Sequence, residues 1–372
     1  MKKVLFLHSS SELYGSDRSL LNLVKRLDKS KFEVSVILPE EGPLVDAMRE
    51  VPGVSVIIKE IAVLRRKNLS FKGIFNYISE FIKSINFLRK IIKEKKIDIV
   101  YTNTSVVFPG GIIAKLLGKK SIWHIREIIS NNFERKIVSI IVNLFSDIII
   151  ANSQATANAI TNNNKKVVVI YNAIEGSKND IEDELFEDKD NIVIGMAGRI
   201  NRWKGQKLFV DMAEEISYKY NNVKFLIAGD VYKGEDHILK DLKKYIEEKS
   251  LDDKIILLGQ VKNMDAFYNS LDIFILPSIQ PEPFGLVVIE AMDRKIPVVA
   301  TNHGGPTEII DNEVNGYLVD FLDAKEMSEK VSMLIENEKL RKEIGNNAKK
   351  KRDEVFTLDT YVNRISEVIN SI

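Results

Sequence analysis

Short apolar runs alternate with longer segments of helical periodicity along this chain, and that alternation constrains its fold most. Apolar runs separated by helical segments are typical of βαβ units and hence of parallel sheets. Such runs occupy residues 4–8, 32–38, 54–58, 97–102, 120–124, 147–151 and 167–170 in the first half. In the second half they occupy residues 191–197, 223–228, 255–258, 273–276, 297–300 and 316–319.

The alternation stops once and then begins again, which predicts two domains. The interruption, residues 176–190, is rich in Asp, Glu, Lys and Asn. A chain of 372 residues is also longer than a domain with a single hydrophobic core usually is. We therefore predict two Rossmann-like, doubly wound α/β lobes, residues 1–175 and 176–355, with an amphipathic helix at 356–372 that packs back on the first lobe. Ligands of such sheets bind at the carboxyl ends of the strands, so we expect the site in a cleft between the lobes.

Several kinds of site are excluded or disfavoured by what the sequence lacks. It has no cysteine, which excludes disulfides and thiolate metal sites. Neither a G-x-G-x-x-G helix start nor a P-loop occurs, which argues against a nicotinamide dehydrogenase and a P-loop NTPase. The one Asp-x-Asp, Asp188 to Asp190, is interpreted as solvated charge. The four histidines, His8, His124, His237 and His303, are not spaced as metal ligands are. We therefore expect no metal.

Charge is balanced overall but divided unevenly between the halves. Residues 1–175 contain 27 Lys and Arg against 16 Asp and Glu, whereas the remainder contains 27 against 37. This asymmetry indicates either an anionic partner or two lobes that attract each other. The apolar run at the start is too short for a signal peptide, and no run approaches a membrane span of roughly 18 residues. We expect a cytoplasmic protein.

The most basic part of the first half is the stretch 64–96, which has ten Lys and Arg and two Glu. Its apolar residues fall on one helical stripe, so the simplest interpretation is a helix that packs on the sheet. The alternative is a basic surface that rests on anionic lipid at the inner face of a membrane. No aromatic-basic platform supports nucleic acid as the partner.

A first chemical motif lies at residues 281–290, between an apolar strand and an apolar helix. Helix entry near Phe284 to Leu286 would present unpaired N–H groups, which bind phosphate without basic side chains. Glu282 precedes the helix and Glu290 lies about two turns inside it. One carboxylate would meet a sugar and the other would accept hydrogen bonds from ribose hydroxyls. The alternative is a loop glutamate and an unrelated helix-face glutamate.

A second motif, residues 195–205, follows the first strand of the second lobe. Arg199 and Lys204 are placed there to hold a diphosphate, Arg199 as a two-pronged donor and Lys204 as a point charge. Plain surface cations are the alternative.

Taken together, these motifs resemble the retaining glycosyltransferase family four, which has the GT-B fold. The resemblance rests on Arg199, Lys204, and Glu282 and Glu290 with seven residues between them. Blocks at 225–230, 258–261 and 304–310 follow in the family's order, and the first half matches more loosely. It implies a metal-independent, cofactor-free hexosyltransferase of polysaccharide biosynthesis that moves a sugar from a UDP- or GDP-sugar to a glycan or lipid-linked acceptor.

The same resemblance implies roles for individual residues. Arg199 and Lys204 would grip the donor diphosphate, and with Glu282, which faces the transferred sugar, they would serve catalysis. Glu290 would bind ribose. The remaining donor contacts would come from backbone at Phe284, Gly285, Leu286 and, for the base, Val261.

In the first lobe, Gly15 matches a glycine loop that approaches the phosphates, although this chain has Tyr14-Gly15 where the family often has two glycines. His124 matches a catalytic histidine placed near the donor sugar, with a structural role as the alternative. Asn103, Thr104 and Arg126 are predicted to contact acceptor or sugar.

The sequence is also compatible with two other functions. A nucleotide-sugar epimerase of related fold would release a new sugar nucleotide without any acceptor. A catalytically silent sugar-binding protein would have no need of all four charged residues, Arg199, Lys204, Glu282 and Glu290.

Overall fold

The computed structural model describes residues 1–64, 71–160, 165–177, 184–186 and 190–372, without the side chains of residues 71 and 72. Part of the basic stretch 64–96, most of the polar segment 176–190 and Asp188 therefore lie outside the described residues. The chain divides into two compact units. The first comprises Met1–Ala173 and Leu358–Ile372, and the second comprises Ile174–Thr357.

The first unit is a seven-stranded parallel sheet with helices, in the order β3-β2-β1-β4-β5-β6-β7. Its strands are β1 (Lys2–Leu7), β2 (Phe32–Leu38), β3 (Val54–Ile58), β4 (Ile99–Thr102), β5 (Lys120–Ile125), β6 (Ile148–Ala151) and β7 (Val167–Val169). Its first helices are α1 (Gly15–Arg26), α2 (Pro43–Arg49), α3 (Phe71–Glu94), α4 (Phe108–Leu116), α5 (Asn132–Phe145) and α6 (Gln154–Ile160).

The second unit is a six-stranded parallel sheet in the order β10-β9-β8-β11-β12-β13. Its strands are β8 (Ile192–Ala197), β9 (Val223–Ala228), β10 (Ile255–Gly259), β11 (Ile273–Leu276), β12 (Val298–Thr301) and β13 (Tyr317–Val319). Its helices are α7 (Gln206–Lys219), α8 (Asp236–Glu248), α9 (Met264–Asn269), α10 (Leu286–Asp293), α11 (Pro306–Ile309), α12 (Ala324–Glu336) and α13 (Glu338–Val355).

The last helix, α14 (Leu358–Asn370), belongs to the first unit, where it packs on α1. Its apolar side is buried through Leu358, Tyr361, Ile365 and Ile369, which join the core formed by β1, β2 and α1. Helical spacing of these residues explains why one face of the segment is buried.

The predicted fold class is confirmed, since both sheets are parallel and doubly wound. Strands buried on both faces are apolar throughout, which is why the apolar runs marked them correctly. In both units the strand order reverses beside the first strand, between β1 and β4 and between β8 and β11. Loops that leave neighbouring strands in opposite directions at such a point leave room for a ligand. No helix in the described part of the chain is long and apolar enough to cross a bilayer.

Candidate functional site

Lys204 and Glu282 meet at the strand-order reversal of the second unit. Lys204 follows β8 and Glu282 follows β11. The Lys204 Nζ lies 2.8 Å from both carboxylate oxygens of Glu282, and the Ser278 Oγ donates to Oε2 at 3.1 Å. The two charged side chains are only 13% and 11% exposed, so this ion pair is sheltered from water. The structure thus brings together two residues that were assigned to the same ligand.

The loop that carries Lys204 is held by short-range contacts. The Asn201 Oδ1 accepts from the backbone N–H groups of Trp203 and Lys204 at 3.1 and 2.9 Å. Gly205, which precedes α7, has φ +77°, and a Cβ there would lie 1.7 Å from the Pro277 carbonyl oxygen. Only glycine permits this approach, which brings the loops after β8 and β11 together.

The backbone around Glu282 is held by the block at 304–310. The Gly305 N–H donates to the Glu282 carbonyl oxygen at 2.7 Å. Gly304 has φ +71°, and a Cβ on it would lie 2.3 Å from that same oxygen. The paired glycines of this block therefore allow a loop to pack directly on the Glu282 segment.

Arg199 also follows β8, and its guanidinium lies over the ring of Tyr232, 3.5 Å from the ring centroid. The Gln206 amide donates to the Arg199 carbonyl oxygen at 3.0 Å. Both contacts restrict the loop, and the stacking on Tyr232 leaves the edges of the planar guanidinium as its donors.

Four of the other predicted donor residues, Phe284, Gly285, Leu286 and Glu290, lie at or near the start of α10. This helix begins at Leu286 after Gly285, which has φ +104°, so Glu290 lies in its second turn, nearer its start than predicted. The Glu290 Oε2 accepts a hydrogen bond of 2.8 Å from the Tyr268 hydroxyl. Phe284 is buried, and Val261 lies in the loop between β10 and α9.

Sequence reasoning missed the partners of these residues. Ser278 could have been found, because it comes directly after a buried strand, where ligand-binding side chains collect. Asn201 could have been found as well, because its side chain accepts from N–H groups two and three residues ahead, as Asn often does in turns. Tyr232 and Tyr268 carry no comparable signal, since their contacts depend on how loops and helices pack.

At the strand-order reversal of the first unit, His8 follows β1 and Asn103 follows β4. The His8 Nδ1 accepts from the Asn103 amide at 3.2 Å, and its Nε2 lies 2.6 Å from the Asp17 Oδ1. Asp17, in the first turn of α1, also accepts from the Tyr14 N–H at 2.9 Å. The loop that leads into Gly15 is thereby tied to the end of β1. Sequence reasoning assigned His8 no function, and here it is a buried, paired residue.

Arg126 lies at the centre of a buried network in the first unit. Its guanidinium donates to the Asn103 Oδ1 at 2.9 Å, the Asn172 Oδ1 at 2.6 Å and the Tyr361 hydroxyl at 2.7 Å. The Thr104 Oγ1 donates to Glu127 at 2.8 Å. Asn103, Thr104 and Arg126 are buried, so their contacts with an acceptor or sugar stay a prediction.

His124 is completely buried beside Arg126. Its Nδ1 lies 2.7 Å from the Tyr101 hydroxyl and 3.3 Å from the Arg126 guanidinium. Burial and then the charge of Arg126 lower the pKa of His124 well below its ordinary value. A neutral ring whose Nδ1 accepts carries its proton on Nε2, and Nε2 has no hydrogen-bond partner among the described residues. A catalytic role for His124 stays a prediction.

We expect Tyr361→Phe to lower the unfolding free energy of the first unit by about 2 kcal/mol, because buried donors lose their acceptor. The Tyr361 hydroxyl accepts from Ser19 at 3.1 Å as well as from Arg126. Urea unfolding followed by tryptophan fluorescence measures the change. Tyr218→Phe is the matched control, since Tyr218 is 80% exposed, and it should change stability by less than about 0.5 kcal/mol. Equal stability of the two variants would contradict the assigned contacts.

Two family models match the chain in succession. Residues 14–177 match the model described as glycosyltransferase family 4, and residues 177–351 match that of glycosyl transferases group 1. The two matches together span nearly the whole of both units.

Known proteins agree with these matches. An uncharacterized glycosyltransferase of Methanocaldococcus jannaschii is 29% identical over 88% of this chain and 86% of its own length. The UDP-Gal:alpha-D-GlcNAc-diphosphoundecaprenol alpha-1,3-galactosyltransferase of Escherichia coli is 27% identical over 84% of this chain and 82% of its own. A crystal structure of an Anabaena protein with UDP and glucose covers both chains completely with a TM-score of 0.84 at 23% identity, which shows the fold. The chain therefore belongs to the family-four glycosyltransferases and has the GT-B fold.

Proposed function

We propose that this glycosyltransferase moves a hexose from a nucleoside-diphosphate sugar to a hydroxyl of a lipid-linked glycan or another cell-envelope polysaccharide precursor, with retention of anomeric configuration. The observation that carries the proposal is the sheltered Lys204–Glu282 pair, 2.8 Å apart at the strand-order reversal. In the proposed reaction, Lys204 is the cation that binds the diphosphate, and Glu282 beside it is the carboxylate that faces the sugar. A UDP-sugar is the first donor to test, since the Escherichia coli relative is named for UDP-Gal and the Anabaena structure contains UDP.

Each charged residue then has a role in the second unit. Arg199 and Lys204 bind the diphosphate, and the backbone from Phe284 to Leu286 approaches it. Glu290, which Tyr268 orients, accepts hydrogen bonds from ribose. Glu282 faces the transferred sugar, where a carboxylate stabilises the positive charge that the anomeric carbon gains as its bond to the leaving group breaks.

The proposed reaction breaks one bond and forms one on the same face of the sugar. The bond between the anomeric carbon and the diphosphate oxygen breaks, and the acceptor oxygen bonds to that carbon. The acceptor proton passes to the departing phosphate oxygen. Arg199 and Lys204 stabilise the charge that develops on the diphosphate.

We expect the product of an α-linked donor to be an α-glycoside. A screen of UDP-, GDP-, ADP- and dTDP-sugars for binding identifies the donor, and one-dimensional proton NMR of the early product gives its anomeric coupling constant. A β product would contradict the retaining mechanism.

A nucleotide-release assay with and without acceptor distinguishes the three candidate functions. Nucleotide release only in the presence of an acceptor supports transfer, whereas release of a new nucleotide sugar without acceptor would identify an epimerase. No release would indicate a silent binding protein.

We expect activity to survive excess EDTA. Arg199 and Lys204 supply the positive charge that a divalent cation supplies in other transferases, and no cluster of metal-binding side chains occurs among the described residues. Initial rates with EDTA should stay within about twofold of those without it. Loss of activity on chelation and its return with Mn²⁺ or Mg²⁺ would show that a metal neutralises the diphosphate.

A further inference from the structure

Helix α5 exposes a stripe of apolar side chains on its outer face. Phe133, Ile137, Ile140 and Leu144 are 73%, 38%, 66% and 64% exposed. At 100° per residue they fall within an arc of about 60°. The opposite face, with Val138 and Val142, is buried against the sheet. A helix that packs only on its own domain needs no second apolar face.

The exposed apolar surface continues on the neighbouring helices. Helix α4 packs against both α3 and α5, and apolar residues of all three helices join one cluster. Outside that buried cluster, α3 and α4 also expose large apolar side chains, namely Ile74, Phe75, Ile78, Ile82 and Leu116. Of the twelve strongly exposed large apolar side chains described in the first unit, nine lie on α3, α4 and α5. Such concentration marks an interaction surface, whereas scattered exposed residues need no explanation.

The charge of these helices indicates what they contact. Helix α3 carries five basic and two acidic residues, and α5 carries two basic and one acidic. Lys136 is exposed and lies three and four residues from Phe133 and Ile140, the spacing of neighbours on a helix surface, and Lys83 is exposed on α3. Apolar side chains among lysines suit the boundary between headgroups and acyl chains of an anionic bilayer. A symmetric contact with a second copy would bring like charges together, which is unfavourable.

We infer that the exposed face of α3, α4 and α5 docks on an anionic phospholipid bilayer. The apolar side chains enter the headgroup boundary and the lysines bind lipid phosphates. The chain then lies on the membrane without crossing it, where a lipid-linked acceptor is found. That last use rests on the proposed function, but docking itself does not.

The test is vesicle co-sedimentation of the full chain without donor or acceptor. One set of vesicles is phosphatidylcholine alone, and in the other about a third of the lipid is phosphatidylglycerol. We expect the parent to bind the anionic vesicles at least about tenfold more tightly, with affinity falling as salt rises. Phe133→Ser with Ile140→Ser should weaken that binding at least about tenfold. Lys83→Glu with Lys136→Glu should also weaken it.

The matched control carries Tyr218→Ser and Leu322→Ser, which remove apolar side chains 80% and 71% exposed in the second unit. Its binding should stay within about twofold of the parent. Circular dichroism and thermal melting show whether each variant is folded.

The inference is overturned if the parent does not bind anionic vesicles or if the α5 variant binds as the parent does. Sedimentation equilibrium that shows a parent dimer, absent in the α5 variant, would assign the surface to a second copy instead. Failure of sugar transfer with intact vesicle binding would reject only the proposed function.

Discussion

Replacing Glu282 with glutamine should lower kcat by on the order of 100-fold or more and leave the affinity for the donor within about threefold. Glutamine keeps the size of the side chain and an oxygen for the Ser278 hydroxyl, but it removes the negative charge. If the carboxylate stabilises positive charge on the sugar only as the bond breaks, its loss affects the transition state more than the bound donor.

Initial rates over a range of donor concentrations give kcat, and calorimetric titration with UDP gives the affinity. Glu313→Gln, a change at a surface carboxylate that is 63% exposed, is the matched control and should be neutral. Turnover of Glu282→Gln within about threefold of the parent would remove Glu282 from the reaction. A loss of UDP affinity with kcat unchanged would instead make it a residue that only orders the Lys204 loop.

The fold class followed from the sequence because strands buried on both faces are continuous apolar runs. The exposure of helix α5 did not follow in the same way. Its apolar residues form one broad side, on which Phe133 and Ile140 face outward while Val138 and Val142 face the sheet. Periodicity indicates such a helix, but which part of its apolar side stays exposed depends on how the helix packs.

The positions of Arg199, Lys204 and Glu282 were predictable because each follows an apolar run, and ligands bind where parallel strands end. The contact between Lys204 and Glu282 was not, since it joins residues 78 apart in the chain. It depends on β8 and β11 being neighbours, and strand order is decided by the packing of the whole sheet.

For the polar residues of the first unit, a position at a strand end does not by itself predict ligand binding. Arg126 follows a strand end, as ligand-binding residues do, yet its guanidinium is engaged by Asn103, Asn172 and Tyr361. Tyr361 lies 235 residues away on the terminal helix. A position at a strand end therefore identifies a polar cluster, and only tertiary contacts tell how much of it is internal structure.

We expect Arg199→Ala and Lys204→Ala each to lower kcat on the order of 100-fold, and to weaken donor binding by much less. A departing nucleoside diphosphate gains negative charge as the glycosidic bond breaks, so fixed cations bind the transition state better than the ground state. Arg199→Lys should also impair turnover, because an ammonium cannot reproduce the two-pronged contact of a guanidinium stacked on Tyr232. Lys204→Arg should keep partial activity, since a point charge is easier to imitate.

The matched control is Arg202→Ala, which removes an exposed cation from the same loop and should leave kcat within about twofold.

Because the Lys204 Nζ lies 2.8 Å from Glu282, the double variant Lys204→Ala with Glu282→Gln tests whether the two act as a unit. Residues that act together lose far less in combination than the product of their single losses. We therefore expect the double variant to be about as impaired as the worse single variant. Fully multiplicative losses would mean that the pair seen in the structure does not act together in the reaction. Normal turnover and unchanged UDP affinity in folded Arg199→Ala, Arg199→Lys and Lys204→Ala would place the diphosphate elsewhere.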